Sequence, residues 1–391
     1  MTDLINIIWL IMLTVAVGYL CFLAVFGLSR KKRCWVTSSK CDFLVLVPAH
    51  NEEAVLGLTL QHLTKLEPTG KLEIAVIADN CEDKTADIAR SFGVTVWERT
   101  DKDKLGKGYT LAWGLERYNL NDFDAVAIVD ADTIVEKHML KTMASSLSGK
   151  AGAIQLAYEF SVSHDTPLAR LHNMAGAVEN VYFYNGRAAL GLPILLRGTG
   201  MAIKTAVLKS HPWQSFSLTE DVDYSIDLLK GGITIDFVPE SCVSAPAASA
   251  FRQAYTQKSR WASGVFGLIT GRMIPLAGAG FKKMKLSLVE LSFSFLLLSR
   301  PLLIYAALVP LVLSFWSSPE LRRLFLIWPA ALIGTVILYL ASGIFLVREK
   351  WPAVKALFYA PFYAVWLMML QIRSFFKRKE TTWVRTERKT E

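Results

Sequence analysis

Apolar residues follow two different patterns along this chain. Between about residues 40 and 250 they come as short runs cut off by polar turns. Phe43–Val47, Glu73–Ala78, Val94–Trp97 and Ala125–Val129 read as strands, the first and last of them buried. Helical stretches alternate with them. One opens at Glu52 and Glu53 behind Asn51 as N-cap, one runs from Lys84 to Phe92 and stops at Gly93, and one runs from Tyr109 to Tyr118. Such alternation predicts an α/β domain built on a mostly parallel sheet with helices on both faces. Beyond Asp132 the alternation loosens. Ile154–Tyr158 and Ile233–Val238 read as strands and Thr166–Leu190 as a long helix. Ser217 and Glu220 have capping-box spacing ahead of a helix that ends at Gly231 and Gly232.

The second pattern is continuous. Residues 4–28, 286–315 and 324–347 are long and apolar enough to cross a bilayer, which takes roughly 20 such residues. Arg30-Lys31-Lys32-Arg33 follows the first run directly, and no small-residue cleavage site is evident, so that run is expected to be an uncleaved anchor with its C-terminal end in the cytoplasm. Lys282, Lys283 and Lys285 before the second run, and Arg348 and Lys350 after the third, agree with that orientation, although Arg322 and Arg323 sit in the short outer loop. Residues 40–250 therefore read as a cytoplasmic domain and 251–285 as an interfacial helical region. Residues 353–376, interrupted by Pro361, read as an interfacial or re-entrant helix, and 377–391 as a basic cytoplasmic tail.

Composition agrees. The chain has 391 residues, is 52% apolar and carries a formal charge of +9, too greasy for an ordinary soluble enzyme and too charged for a pure transporter. Its five scattered cysteines give neither a disulfide framework nor a metal-binding spacing.

Candidate chemistry concentrates where the run Ala125–Val129 delivers Asp130 and Asp132. Carboxylates one residue apart are hard oxygen ligands suited to Mg²⁺ or Mn²⁺. The spacing alone is weak, because Asp101/Asp103, Asp122/Asp124 and Asp221/Asp223 share it. Position singles out Asp130/Asp132, since ligands of open α/β sheets bind beyond the carboxyl ends of the strands. Lys107 stands between Gly106 and Gly108 at a helix start, a place that favours anions. Gly198-Thr199-Gly200 reads as a close approach of backbone to another group, and Asp223 and Asp227 read as solvated.

In order, the chain carries a lone Asp79, the Asp130-x-Asp132 pair, Thr219-Glu220-Asp221 and Gln257-x-x-Arg260-Trp261. This series resembles the family 2 glycosyltransferases, particularly the membrane-embedded branch that holds cellulose, hyaluronan, chitin and poly-N-acetylglucosamine synthases. The resemblance implies a GT-A fold, an inverting mechanism and a nucleotide-diphosphate sugar donor, usually UDP-linked. It implies donor contacts from Asn51, Glu52, Asp79, Lys107, Asp130, Gln257 and Arg260, with Asp130 and Asp132 at the metal. Asp221 would be the general base, with Glu220 and Thr219 positioning it. Trp261 would offer a flat face to a sugar, and Gly198, Thr199 and Gly200 are expected on the acceptor side. Trp383, Arg385 and Arg388 resemble the gating-loop motif of hyaluronan-type synthases.

The expected partners are the nucleotide sugar, a glycan or lipid-linked acceptor and membrane lipid, with no nucleic acid. The expected product is a growing cell-surface polysaccharide; because three spans are few to surround an exported polymer, this calls for a homo-oligomer or export partner, and the alternative is a single sugar placed on a membrane lipid of ceramide or polyprenyl-phosphate type.

Overall fold

A computed structural model describes residues 2–30, 39–162, 164–248 and 250–376. The chain divides into two compact units. The first comprises residues 39–162 and 193–247 and holds an eight-stranded sheet. Its strands are β1 (Phe43–Ala49), β2 (Leu72–Asp79), β3 (Thr95–Arg99), β4 (Ala125–Ile128), β5 (Ile134–Val135), β6 (Ala153–Ser161), β7 (Met201–Lys204) and β8 (Ile235–Pro246), in the spatial order β3-β2-β1-β4-β7-β6-β8-β5.

The first half of the sheet is parallel, as the strand–helix alternation predicts. The second half is mixed: β7 runs antiparallel to both β4 and β6, β6 and β8 are parallel, and β5 is antiparallel to β8. The reversal follows from the short return strand β7, which was not legible as a strand because only Met201–Lys204 pair. Register along β6 and β8 shifts between Leu156 and Ala157, whose partners are Val238 and Cys242. Past that irregularity β8 continues far enough to pair Ser244 with Ile134, just beyond Asp132.

Alternation along the strands sends side chains to opposite faces. Phe43, Val45 and Val47 join Ala125, Ala127 and Val129 in a core under the helices 56–63 and 139–147. On the other face, helix Lys107–Leu115 backs Gly114 onto Ile77. All the strand residues of β4 are fully buried, so the chain leaves the core only at Asp130.

Three local expectations are corrected. Asn51 does not cap a helix: the helix starts at Leu56 with Val55 as N-cap, while Asn51 takes a left-handed φ of +54° and its Oδ1 accepts from the Glu82 N–H at 2.7 Å. Ser217 does not cap either. Thr219 is the N-cap of helix Glu220–Lys230, and the Ser217 hydroxyl donates instead to Asp223 at 2.6 Å. Asp223 is accordingly buried rather than solvated.

The second unit comprises residues 2–30, 164–192 and 248–376 and is helical. Helices Thr2–Ser29, Phe251–Lys282 and Pro319–Phe345 are long and apolar enough to span a membrane, judged by length and composition. Two further pairs meet the same test with a bend: Leu286–Leu297 with Pro301–Trp316 at 77°, and Lys350–Leu357 with Ala360–Phe375 at 62°. The expected runs 4–28 and 324–347 thus each correspond to one unsplit helix, whereas 286–315 is broken. Buried charges in this unit are paired: the Arg187 guanidinium grips Glu290 with two bonds of 2.7 and 2.8 Å, and the Tyr19 hydroxyl donates to the same carboxylate.

Candidate active site

Four chain segments converge at the carboxyl end of β4. The Lys107 ammonium donates to the Asp130 carboxylate and, at 2.8 Å, to the Gly198 carbonyl. Asp221, one residue into its helix, accepts from the Val222 N–H at 2.8 Å, and its other oxygen faces Gly198, where an added Cβ would sit 3.3 Å away. That glycine has φ +79° and Gly200 has φ +63°, and a Cβ at Gly200 would lie 2.5 Å from Val243. Both are therefore glycines because the backbone must turn through the left-handed region within contact of its neighbours. The expected close approach at Gly198-Thr199-Gly200 is thus a turn that presents a carbonyl to Lys107.

The turn carrying Asp130 and Asp132 is held from both sides. Thr199 Oγ1 accepts from the Asp130 N–H at 3.0 Å and lies 3.1 Å from the Thr133 hydroxyl. The Thr59 hydroxyl donates to the Ala131 carbonyl at 2.8 Å. Fully buried Gln155 donates to the Thr199 carbonyl at 2.9 Å and accepts from the Arg197 N–H at 2.7 Å, which fixes the facing loop. The Ser225 hydroxyl accepts from the Leu196 N–H at 2.8 Å and donates to the Asp221 carbonyl, joining that loop to the helix of Asp221.

Charge in the site is unbalanced. Asp130, Asp132, Glu220 and Asp221 are four acids, and Lys107 is the cation whose charge acts on Asp130, Glu220 and Asp221. Burial, followed by the neighbouring Asp221 charge, pushes the Glu220 carboxyl up to about 8. Burial likewise raises Asp221 to about 6, against the opposing pull of Lys107. Burial disfavours the ammonium of Lys107, yet the surrounding carboxylates hold its pKa above the ordinary lysine value.

A second group lies at the ends of β1 and β2. Asp79 is 4% exposed; its carboxylate accepts from Arg99 at 2.6 Å and Thr110 at 2.8 Å. Arg99, itself buried, also reaches Asp101 and the Lys104 carbonyl, both at 2.9 Å. The Glu52 N–H donates to Thr85 at 2.8 Å, and His50 Nδ1 lies 2.7 Å from the Asp79 carbonyl, so Asn51 and Glu52 are tied to the loop after Asp79. Neither Arg99 nor Thr110 stood out in the sequence. The recoverable signal was that an acid ending a buried strand needs a buried cation, and Arg99 ends the neighbouring strand.

Gln257, Arg260 and Trp261 lie on helix Phe251–Gly267 of the helical unit, three and four residues apart and hence on one helix face. The Lys258 ammonium is 4.5 Å from the Trp261 ring centroid. Trp383, Arg385 and Arg388 lie outside the described residues.

The family described as Glycosyltransferase like family 2 matches residues 41–264, more than half of the chain. A probable glycosyltransferase, YdaM, of Bacillus subtilis is 29% identical over 232 residues, 56% of this chain and 54% of that protein. A beta-monoglucosyldiacylglycerol synthase of Nostoc is 28% identical over 267 residues, 66% of this chain and 56% of that enzyme. The chain thus spans about half the length of these curated relatives. Among solved structures, the mannosyltransferase PcManGT of Pyrobaculum calidifontis, in complex with GDP-Man and Mn²⁺, superposes with a TM-score of 0.55 at 15% identity, covering 87% of this chain and 99% of that one. That likeness shows a shared fold of GT-A type. The sheet unit, its strand-end acids and the match over residues 41–264 lead to one assignment: the chain belongs to the family 2 glycosyltransferases.

Proposed function

We propose that the chain transfers a sugar from a nucleotide-diphosphate donor, of UDP type, to a membrane lipid by a single inverting displacement. The observation that carries this reading is the meeting of Lys107, Asp130, Gly198 and Asp221 at one strand end. An anion holder and a candidate base stand there on separate elements, as a displacement between donor and acceptor requires.

Asp79 with Arg99, together with Asn51 and Glu52, forms the base and ribose end of the donor site. Asp79 offers carboxylate oxygens to an imide N–H, and Arg99 fixes their direction. Lys107 neutralises the diphosphate, helped by the helix N-terminus behind it. Asp221, ionised, takes the proton of the acceptor hydroxyl as that oxygen attacks the sugar carbon. Glu220 keeps a neighbouring proton at neutral pH and so limits the negative charge around the base, and Thr219 starts the helix that aims both. Gly198, Thr199 and Gly200 wall the acceptor side. By the resemblance of their motif, Gln257 and Arg260 are assigned to the donor and Trp261 to the sugar.

The donor set suits Mg²⁺ or Mn²⁺. Among the described residues no cluster of three or more His, Cys, Asp or Glu side chains could hold a metal. Asp130 and Asp132 would therefore supply one or two ligands, with the donor's phosphates completing the shell, a pattern Mg²⁺ favours. Asp130, Glu220 and Asp221 outnumber Lys107, which suits an incoming cation. When bound, the ion would stabilise charge on the departing diphosphate. We place the catalytic unit on the cytoplasmic side of the inner membrane, on the strength of the basic residues that follow the first span.

The lipid acceptor is favoured by the Nostoc relative, named for glucosylating diacylglycerol, which aligns with 66% of this chain. A growing polysaccharide is the second reading, favoured by the synthase-type Gln257-x-x-Arg260-Trp261 series. Incubating the purified protein with a panel of radiolabelled UDP-sugars and membranes separates them. A solvent-extractable product carrying one sugar is expected; a high-mass, solvent-insoluble product would overturn the lipid reading.

A further inference from the structure

The broken span of the helical unit holds a polar group with unmet donors. Arg300 occupies the break between Leu297 and Pro301, where the two helices bend by 77°. It is 8% exposed. Its Nη1 donates to Glu179 at 3.0 Å and, weakly, to the Leu298 carbonyl at 3.4 Å, while the guanidinium carbon lies 4.8 Å from the Phe183 ring centroid. The buried Nε and Nη2 have no hydrogen-bond partner among the described residues. Nor has the Tyr339 hydroxyl, on a side chain likewise buried and within electrostatic reach of Arg300.

Buried donors left unmade cost about 1–3 kcal/mol each, so three in one place call for an acceptor. Geometry and charge narrow its chemistry. Nε–H and Nη2–H form the side-on fork of a guanidinium, two parallel donors that match a pair of oxygens. Glu179 already supplies a negative charge to Arg300, and a second anion buried here would carry the desolvation cost of an unbalanced charge. A neutral group with two neighbouring acceptor oxygens meets both demands. Leu297, Leu303 and Phe183 are buried apolar side chains of the same unit.

We propose that Arg300 and Tyr339 form a binding site for a neutral lipid with ester or amide carbonyls, of diacylglycerol or ceramide type. The site rests on the lipid-acceptor reading for its role in transfer, but its occupancy is testable without any sugar. The full chain in nonionic detergent is titrated with radiolabelled dioleoylglycerol, with its ether-linked analogue, which lacks both carbonyls, and with dioleoylphosphatidic acid. Dioleoylglycerol is expected to bind about tenfold more tightly than the ether. Arg300→Lys, which keeps the charge and loses the fork, should weaken it about tenfold, and Tyr339→Phe, which removes one oxygen, about threefold. UDP binding should stay unchanged in both variants, which certifies their fold.

Equal binding of ester and ether lipids, or variants that bind dioleoylglycerol like the parent, would overturn the proposal and leave water as the partner of these donors. Tighter binding of phosphatidic acid would overturn the neutral chemistry. Binding that holds while no lipid receives sugar would support the site and sink the acceptor reading instead.

Discussion

Two charge groups, one in each unit, are built in opposite ways. In the helical unit Arg187 meets Glu290 one to one through a bidentate pair. At the end of β4 three carboxylates, Asp130, Glu220 and Asp221, act on Lys107, and burial raises Asp221 to about 6 and Glu220 to about 8. A balanced pair completes itself and serves packing. An unbalanced cluster is eased where burial keeps an acid protonated, and it gains when a cationic or proton-donating reaction partner arrives.

The largest expected effect tests the unbalanced side. Asp221→Asn should lower sugar transfer by about 10³-fold with donor binding retained, read by turnover and by calorimetric titration with UDP. Unchanged turnover would remove Asp221 from the role of base. Next comes the balanced side: Glu290→Ala should destabilise the protein by about 3 kcal/mol or more in thermal or denaturant unfolding, whereas replacing Arg187 and Glu290 together with methionines should cost far less. A single replacement as harmless as the double one would erase the contrast.

Third, burial sets Asp221 and Glu220 above their ordinary values of 3.8 and 4.5, so the folded chain retains protons that the unfolded chain releases. Ionising them costs stability as pH climbs from about 4 to about 8, while transfer should rise along a limb near 6 as the base ionises. Lys107→Met removes the charge that lowers Asp221, so a pH–rate profile should show that limb displaced upward by about one unit. The smallest effect is local: Thr59→Val loses the bond to the Ala131 carbonyl and should cost about 1 kcal/mol of stability.

In the sequence, spacing and strand position pointed to Asp130 and Asp132, flanking glycines at a helix start to Lys107, and the family resemblance of Thr219-Glu220-Asp221 to Asp221. The other Asp-x-Asp pairs show why position had to be added to spacing. Asp101 pairs with Arg99 and caps its own turn, Asp124 accepts from the Asp42 N–H at 2.9 Å, and Asp223 accepts from Ser217. What the sequence hid depends on pairing across long separations. Gln155 and Thr199 meet because β7 lies beside β6. Asn51 looked like a cap because local helix chemistry was the nearest use for it, but the bond it makes is to a loop 31 residues away.

Strand β8 has a mechanical consequence. By continuing past its irregularity to pair with β5, it ties down the chain leaving Asp132, while Val129 bonds to β1 through the Leu46 carbonyl at 3.1 Å on the way in. The amides of Val129, Asp130 and Ile134 should therefore exchange with solvent about as slowly as the core strands, although the carboxylates between them reach water. The loop entropy of the Asp130–Asp132 turn is spent during folding, and none remains to be lost when a ligand binds there.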